Sequence, residues 1–448
     1  MIEQIRKELQ NPSDLFSDTL DNGIIQMEVC YFPSLCDPTL IKDGLLVPFS
    51  YRFELPVFNR MIEADPCFSE VDEPQLWTNL LLKGTLLFKI EDTVYRFDAQ
   101  RKLFDRPDEV QIESTLQGPQ SAMTEDLDMN VSLVRLRYNE PTLCVEQHVL
   151  GEASKSRVTL LYDAELVNRD VLEQINIRLS KVKVKTLRAT GLLLKELSGR
   201  RHKLFPIILQ TERPDRIATM LERGKVALLL DGSRFGLVLP VRMFDFMHAM
   251  DDDYEFHWMS KFLLMLRYVA MVLTITLPAT YIAIVSYNPE VLRVQLTLSI
   301  AGSRVVVPYP SFIEVFLMLF MIEALIEASL RLPRSIGSTA TTVGGLILGQ
   351  SIQQAGLVSS IMIIVTSVVA ISNFVIPNNG FGYSIRFIKY VFVIVSIFYG
   401  LLGVVVTFFS LIVYWCSLRS FGQPYLAVYV PKNEAKRHHA AAKGGRSS

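Results

Sequence analysis

Three carboxylates stand in one apolar run, Phe312-Ile-Glu314-Val-Phe-Leu-Met-Leu-Phe-Met-Ile-Glu323-Ala-Leu-Ile-Glu327-Ala-Ser-Leu330. A helix of about twenty such residues reaches across a bilayer. A charge at the bilayer centre costs at least about 2.5–3.5 kcal/mol. A chain that keeps several there hides them inside a protein bundle or beside water. Glu323 and Glu327 are i,i+4 neighbours on one helix face, whereas Glu314 is half a turn away and faces elsewhere. Glu323 suits a buried role, in assembly or in drawing cations to a vestibule. Glu327 can do the same, or pair with Arg331 at the interface. Glu314 is expected at the membrane edge, paired with Arg304. This chemistry belongs to passage or assembly rather than to covalent catalysis.

A second set of residues follows. On a helical wheel Ser338, Thr341, Thr342, Gly345, Gly349 and Gln353 fall in one stripe about 120° wide. Ala340, Val343 and Ile347 lie opposite. Hydroxyls and bare backbone can solvate a passing ion, which suits a pore lining. Gly345-x-x-x-Gly349 is also the small-residue contact that lets two helices pack closely. The spacing is compatible with both. Arg267, one turn inside the first apolar run, is expected to snorkel to headgroups. Asp251-Asp-Asp253 reads as a solvated linker between His248 and His257.

The elements that hold these residues come in two halves. Up to about Tyr254 the chain is dense in Asp, Glu, Lys and Arg; from Phe262 to Leu418 it has no Asp, and its only Glu residues are Glu290, Glu314, Glu323 and Glu327. The fold class expected is α+β followed by all-α. Two α/β subdomains, 1–155 and 156–255, precede a polytopic helical membrane domain, 256–420, and a tail, 421–448. In the first, Gly84 to Asp98 reads as two strands about an Asp92 turn, and Thr124 as the N-cap of a helix. In the second, Phe205 to Gln210 reads as a strand and Asp231-Gly232 as a hairpin turn. Membrane candidates are Phe262 to Ser286, Phe312 to Leu330, Leu357 to Ile376 and Ile385 to Leu418, with Gly400 and Gly403 as a bend. The Gly-rich Ile336 to Gln354 spans or re-enters, giving four or five crossings, and Val291 to Ser303 is interfacial.

The opening residues carry no apolar targeting run, so the soluble half is expected in the cytoplasm. The five cysteines form no C-x-x-C pair and are expected as free thiols. A net charge of −1 points to no nucleic-acid partner. No phosphate loop, nucleophile elbow, nucleophile–base pair or metal spacing emerges, so neither enzyme activity nor a metal or cofactor is expected.

Several strings resemble the A-subunit class of the GerA family of spore germinant receptors. They include Leu330-Arg-Leu-Pro-Arg-Ser-Ile-Gly337, Val343 to Gln350, Ala370-Ile-Ser-Asn-Phe-Val-Ile-Pro377 and Ser417 to Ala427. In the soluble half Asn168 to Leu172, Thr211-Glu-Arg-Pro-Asp215 and Val226 to Gly232 are similar too. One loop, Gly118 to Glu125, departs from the family pattern. The resemblance implies a nutrient sensor of the inner spore membrane. Its partners would be a transporter-like B subunit and a C lipoprotein, with A subunits assembled as a homo-oligomer about an ion path. Two alternatives stand beside that channel, a non-conducting scaffold and a secondary transporter. Transporters carry paired broken helices in repeats, and this chain has one Gly-interrupted helix.

Overall fold

The computed structural model describes residues 1–427 apart from 10–11, 13, 52–54, 72, 101–108, 114, 116, 200–202, 332–344 and 346–348, and apart from the side chains of 63 and 329–331. Its first unit is an antiparallel sheet ordered β1-β2-β4-β5-β3. The strands are β1 Phe16–Asp21, β2 Gln26–Tyr31, β3 Phe68–Glu70, β4 Thr85–Ile90 and β5 Thr93–Asp98. Successive strand residues point to opposite faces. Accordingly Val29, Phe88 and Phe97 join one apolar cluster, and Cys30, Leu87 and Val94 another. Helix Leu55–Ala64 covers the first cluster with Phe58 and Ile62, and helices Ile2–Glu8 and Trp77–Leu82 cover the second with Ile5 and Leu81. A sheet with helices on both faces buries both apolar sides.

The second sheet is also antiparallel, ordered β6-β7-β9-β10-β8, with β6 Leu143–Leu150, β7 Ser156–Asp163, β8 Leu209–Thr211, β9 Val226–Leu230 and β10 Gly236–Leu239. Central β9 is buried at every position, and its Val-Ala-Leu-Leu-Leu run is what a doubly covered strand requires. Helices Leu127–Arg137, Arg169–Ser180, Thr190–Ser198 and Pro214–Glu222 pack onto it.

Three local expectations shift. Strand β6 falls before the expected boundary at 155, yet it pairs with β7 along its whole length and belongs to the second sheet. Asp126, not Thr124, caps helix Leu127–Arg137, accepting from the N–H groups of Asp128 at 2.8 Å and Met129 at 3.2 Å. The strand expected from Phe205 shrinks to Leu209–Thr211, because Phe205 turns away to meet the helical half.

Beyond Tyr254 the described residues are mainly helical. The lead helix is His257–Ser286, followed by the short helix Val294–Arg304, the carboxylate helix Ser311–Arg331, the helix Ser360–Val375 and the terminal helix Asn379–Ser417. Among the described residues two are long and apolar enough to cross a membrane, the lead helix and the terminal helix.

The terminal helix is not one rod. Gly400 sits at φ 60°, ψ −143°, outside helical space. Phe381 and Trp415 would stand about 51 Å apart on a straight helix. Instead both rings meet Phe205, at 5.5 and 5.4 Å between centroids. The chain therefore runs out, reverses at Gly400 and runs back, forming a helical hairpin. Its tip lies against the far end of the lead helix, where the Tyr287 hydroxyl donates to the carbonyl of Ile397. The positive φ at Gly400 favours glycine, and a Cβ there would also press on Tyr287 Cγ at 3.1 Å.

Candidate functional site

Glu314 lies in the first turn of the carboxylate helix, fully buried. Its Oε1 accepts from the backbone N–H of Ser359 at 2.6 Å and from the Ser359 hydroxyl at 2.5 Å. Ser359 is the N-cap of helix Ser360–Val375. A carboxylate there meets donors that the helix cannot use internally, and the positive end of its dipole. The expected partner Arg304 is present, Nε to Oε2 3.6 Å. The Tyr281 hydroxyl, from the lead helix, stands 3.3 Å from Ser359 Oγ. Glu314 thus ties four helices together at the end remote from the soluble units.

Glu323 sits toward the other end of the bundle. It accepts from Arg386 at 3.1 Å and from Lys389 at 3.0 Å, both on the outgoing arm of the hairpin. The Lys389 side chain is fully buried. Both cations are folded inward onto Glu323 rather than turned out to the surface. Two cations share one carboxylate. Aromatic faces take part of the excess charge, with Arg386 4.6 Å above Tyr383 and Lys389 5.0 Å above Tyr390. Glu327, one turn on, is exposed. Its expected pairing with Arg331 lies outside the described side chains.

Of the small-residue stripe, Ser338, Thr341 and Thr342 lie outside the described residues. A Cβ at Gly345 would meet Leu325 Cδ2 at 3.6 Å, an ordinary contact, and one at Gly349 would meet nothing within 4 Å. Gln353 is exposed and donates to Ser360 Oγ at 3.3 Å. Among the described residues, neither glycine has a close helix contact.

Sequence reading missed the junction that couples the two halves. Phe205 of the soluble half touches both arms of the hairpin. Phe246 stacks on Phe381 at 5.6 Å, with rings 10° apart. After the hairpin the chain returns to the second sheet. Ser420 Oγ accepts from the N–H of Val241 at 3.1 Å and donates to the carbonyl of Ile207 at 2.7 Å. Tyr425 is fully buried, its carbonyl accepting from Met243 N at 3.0 Å. One apolar cluster runs unbroken from Leu228 and Leu237 of the sheet through Phe205 and Phe246 to Phe381 and Trp415. The one hint in sequence was the Ser417 to Ala427 string, which holds Ser420 and Tyr425.

A polar clamp adjoins the junction. Glu212 accepts from the backbone N–H groups of Gln111, Ile112 and Glu113. Arg213, fully buried, bonds Asp215 and the carbonyls of Glu113 and Pro119; Arg216 pairs with Glu113 Oε1 at 2.7 Å and donates to the carbonyls of Asp245 and His248. The Thr211 to Asp215 string therefore fastens the segment before the second unit. In the departing loop, Gly118 has φ +119° and lies so close to Tyr254 that a Cβ would come within 2.6 Å of its ring. Arg267 does not snorkel: it donates to Asp252, which is 5 % exposed, and to the Met247 carbonyl at 3.2 Å. The acidic run is correspondingly not a solvated linker. Asp253 pairs with His248 at 3.2 Å, and that partner holds its carboxyl below the ordinary aspartate value.

Comparison with known proteins follows this architecture. A family model described as Bacillus/Clostridium GerA spore germination protein matches residues 3–443. Spore germination protein B1 of Bacillus subtilis is 36% identical over 331 residues, 74% of this chain and 68% of that protein. Spore germination protein GerLA of Bacillus cereus is 28% identical over 441 residues, 96% of this chain and 90% of that one. Among solved structures, the N-terminal domain of the A subunit of the Bacillus megaterium spore germinant receptor GerK3 is similar with a TM-score of 0.41 and 24% identity, covering 53% of this chain and 92% of that domain. On the family model, which covers nearly its full length, the chain belongs to the GerA family of spore germination proteins.

Proposed function

We propose that this chain is the A-type subunit of a nutrient germinant receptor in the inner spore membrane, with its soluble units on the cytoplasmic side. It relays a nutrient signal into cation release through a multi-crossing helical bundle, in which the hairpin crosses and returns. In this reading it works with a transporter-like B subunit and a C lipoprotein, as a homo-oligomer whose small-residue stripe faces the ion path. The supporting observation is the unbroken apolar core from the second sheet into both arms of the hairpin. A displacement of that sheet reaches the membrane helices through packed rings, which do not deform independently.

A second reading, a non-conducting scaffold, is favoured by the pairing of Glu323 with two cations of its own chain, which leaves it no free charge to draw ions. Gly349→Leu separates the two readings. Among the described residues nothing stands within 4 Å of a Cβ there, so the subunit is expected to keep its own packing. The conducting reading expects normal protein level and normal co-purification of the B and C partners, with nutrient-triggered potassium release abolished. Normal release from assembled complexes would leave the scaffold.

A further inference from the structure

We propose that the junction between the second soluble unit and the hairpin holds the phosphate of an anionic phospholipid headgroup. This rests on the membrane reading above. A cavity of about 380 Å³ opens between helix Thr190–Ser198 and the start of the outgoing arm, walled by Lys195 and Lys203 on one side and Gly380 and Ser384 on the other. An adjoining cavity of about 390 Å³ shares Lys203 and adds Arg178 and Lys181. Among the described residues, four cations thus line the pair of cavities, against the carboxylate of Glu196. Arg178 is held by the Leu197 carbonyl at 2.9 Å and the Phe421 ring at 4.2 Å, neither an anion. Burial, and then Arg178 itself, push the Lys203 ammonium below the ordinary lysine pKa. Such a cluster is relieved by a bound anion.

The surroundings select a lipid as the source of that anion. Leu204 N donates to the Tyr414 hydroxyl at 3.1 Å, and Phe205 packs on Trp415, so Tyr and Trp mark this level as they do at membrane–water interfaces. On the outgoing arm Gly380, Ser384, Phe387, Val391, Ile394 and Phe398 follow helical spacing down one face. The first two wall the cavity, and the last four are exposed apolar side chains. A headgroup in the cavity would therefore continue into acyl chains lying along the arm. A free phosphate would use only the upper part of this surface.

The test is native mass spectrometry of the purified full-length chain in detergent, titrated with phosphatidylglycerol, with phosphatidylcholine or with inorganic phosphate. Wild type is expected to retain phosphatidylglycerol selectively, and millimolar phosphate not to displace it. Lys195→Gln with Lys203→Gln should weaken retention on the order of tenfold, since each basic group near the surface contributes to anionic lipid binding. Lys195→Arg with Lys203→Arg should restore it. Ser384→Trp, which fills the cavity from the helix side, should lower it with every cation in place. Lys183→Gln with Lys185→Gln, the same charge loss outside both cavities, should leave retention unchanged. Equal retention of the two lipids, equal loss in that control, or full competition by phosphate would each overturn the proposal. Failure of the membrane reading is separately visible, as wild-type chain that floats with vesicles of neither lipid.

Discussion

At Glu323 a carboxylate inside an apolar run is held by two cations that the same chain supplies. Removing one partner of a buried ion pair leaves uncompensated charge, at a cost of about 3–5 kcal/mol. Glu323→Gln is therefore expected to lower the unfolding temperature in detergent markedly, and Lys389→Met added to it should recover part of the loss. An unchanged melting curve for Glu323→Gln would argue against the pairing. The carboxylates themselves were legible in sequence, because their type and setting suffice. Arg304 as the partner of Glu314 was legible too, ten residues away, but the partners of Glu323 were not: Arg386 and Lys389 stand 63 and 66 residues away, and only tertiary folding brings them near. Pairing within the chain also removes one reason to expect a second copy beside Glu323; the stripe at Gly349 remains such a reason. The thiols give a second test at this scale. Cys67 and Cys416 are exposed, whereas Cys30 and Cys36 are buried and pushed up to about 12. Maleimide should label the first two and spare the second two until the protein unfolds. The Cys67 thiol is raised above its ordinary 9.0 chiefly by the Asp65 side chain. Thiolate is the reactive form, so its labelling rate should still be climbing as pH passes 9.0.

The hairpin is the element on which the topology turns. From sequence the terminal apolar run, Ile385 to Leu418, carries a bend at Gly400 and Gly403. Whether a bend is a kink or a full reversal depends on one residue's φ and ψ, which composition does not encode. The structure makes it a reversal and so returns the chain to the second sheet. Cys416, at the end of the returning arm, should then react with an impermeant reagent from the same side as Cys67. Single-thiol variants, labelled before and after permeabilisation, check this, and labelling from opposite sides would mean a straight crossing. Gly400→Ala forces a β-carbon into a positive-φ site beside Tyr287, at a cost of about 1–3 kcal/mol. It should lower stability and expose the tail to protease. Val404→Ala, a buried change one helical turn into the returning arm that leaves the positive-φ site intact, should not release the tail.

Across the whole molecule, composition divides the chain near Phe262 into two halves that read as separable. The fold does not keep them separate. Phe205, Phe246, Phe381 and Trp415 carry one core across the division, and Arg267 is bonded to Asp252 and the Met247 carbonyl on the soluble side. The Gly84 to Asp98 hairpin, the Asp231-Gly232 turn, the helix beginning near Thr124 and the long apolar helices were legible because alternation, turn residues, caps and apolar runs are local signals. The junction was not, since an aromatic ring in sequence looks the same whether it fills its own unit or a neighbouring one. If the soluble unit acts on the membrane through these rings, the most direct measurement is nutrient-triggered potassium release from spores carrying Phe381→Leu. That change keeps an apolar side chain at the site, although a smaller one in a packed core, so protein level is measured beside release. It removes the ring contacts with Phe205 and Phe246. The relay predicts normal protein level and partner co-purification, with release slowed several-fold at a given nutrient concentration. A release curve superimposable on wild type, at equal protein level, would contradict it.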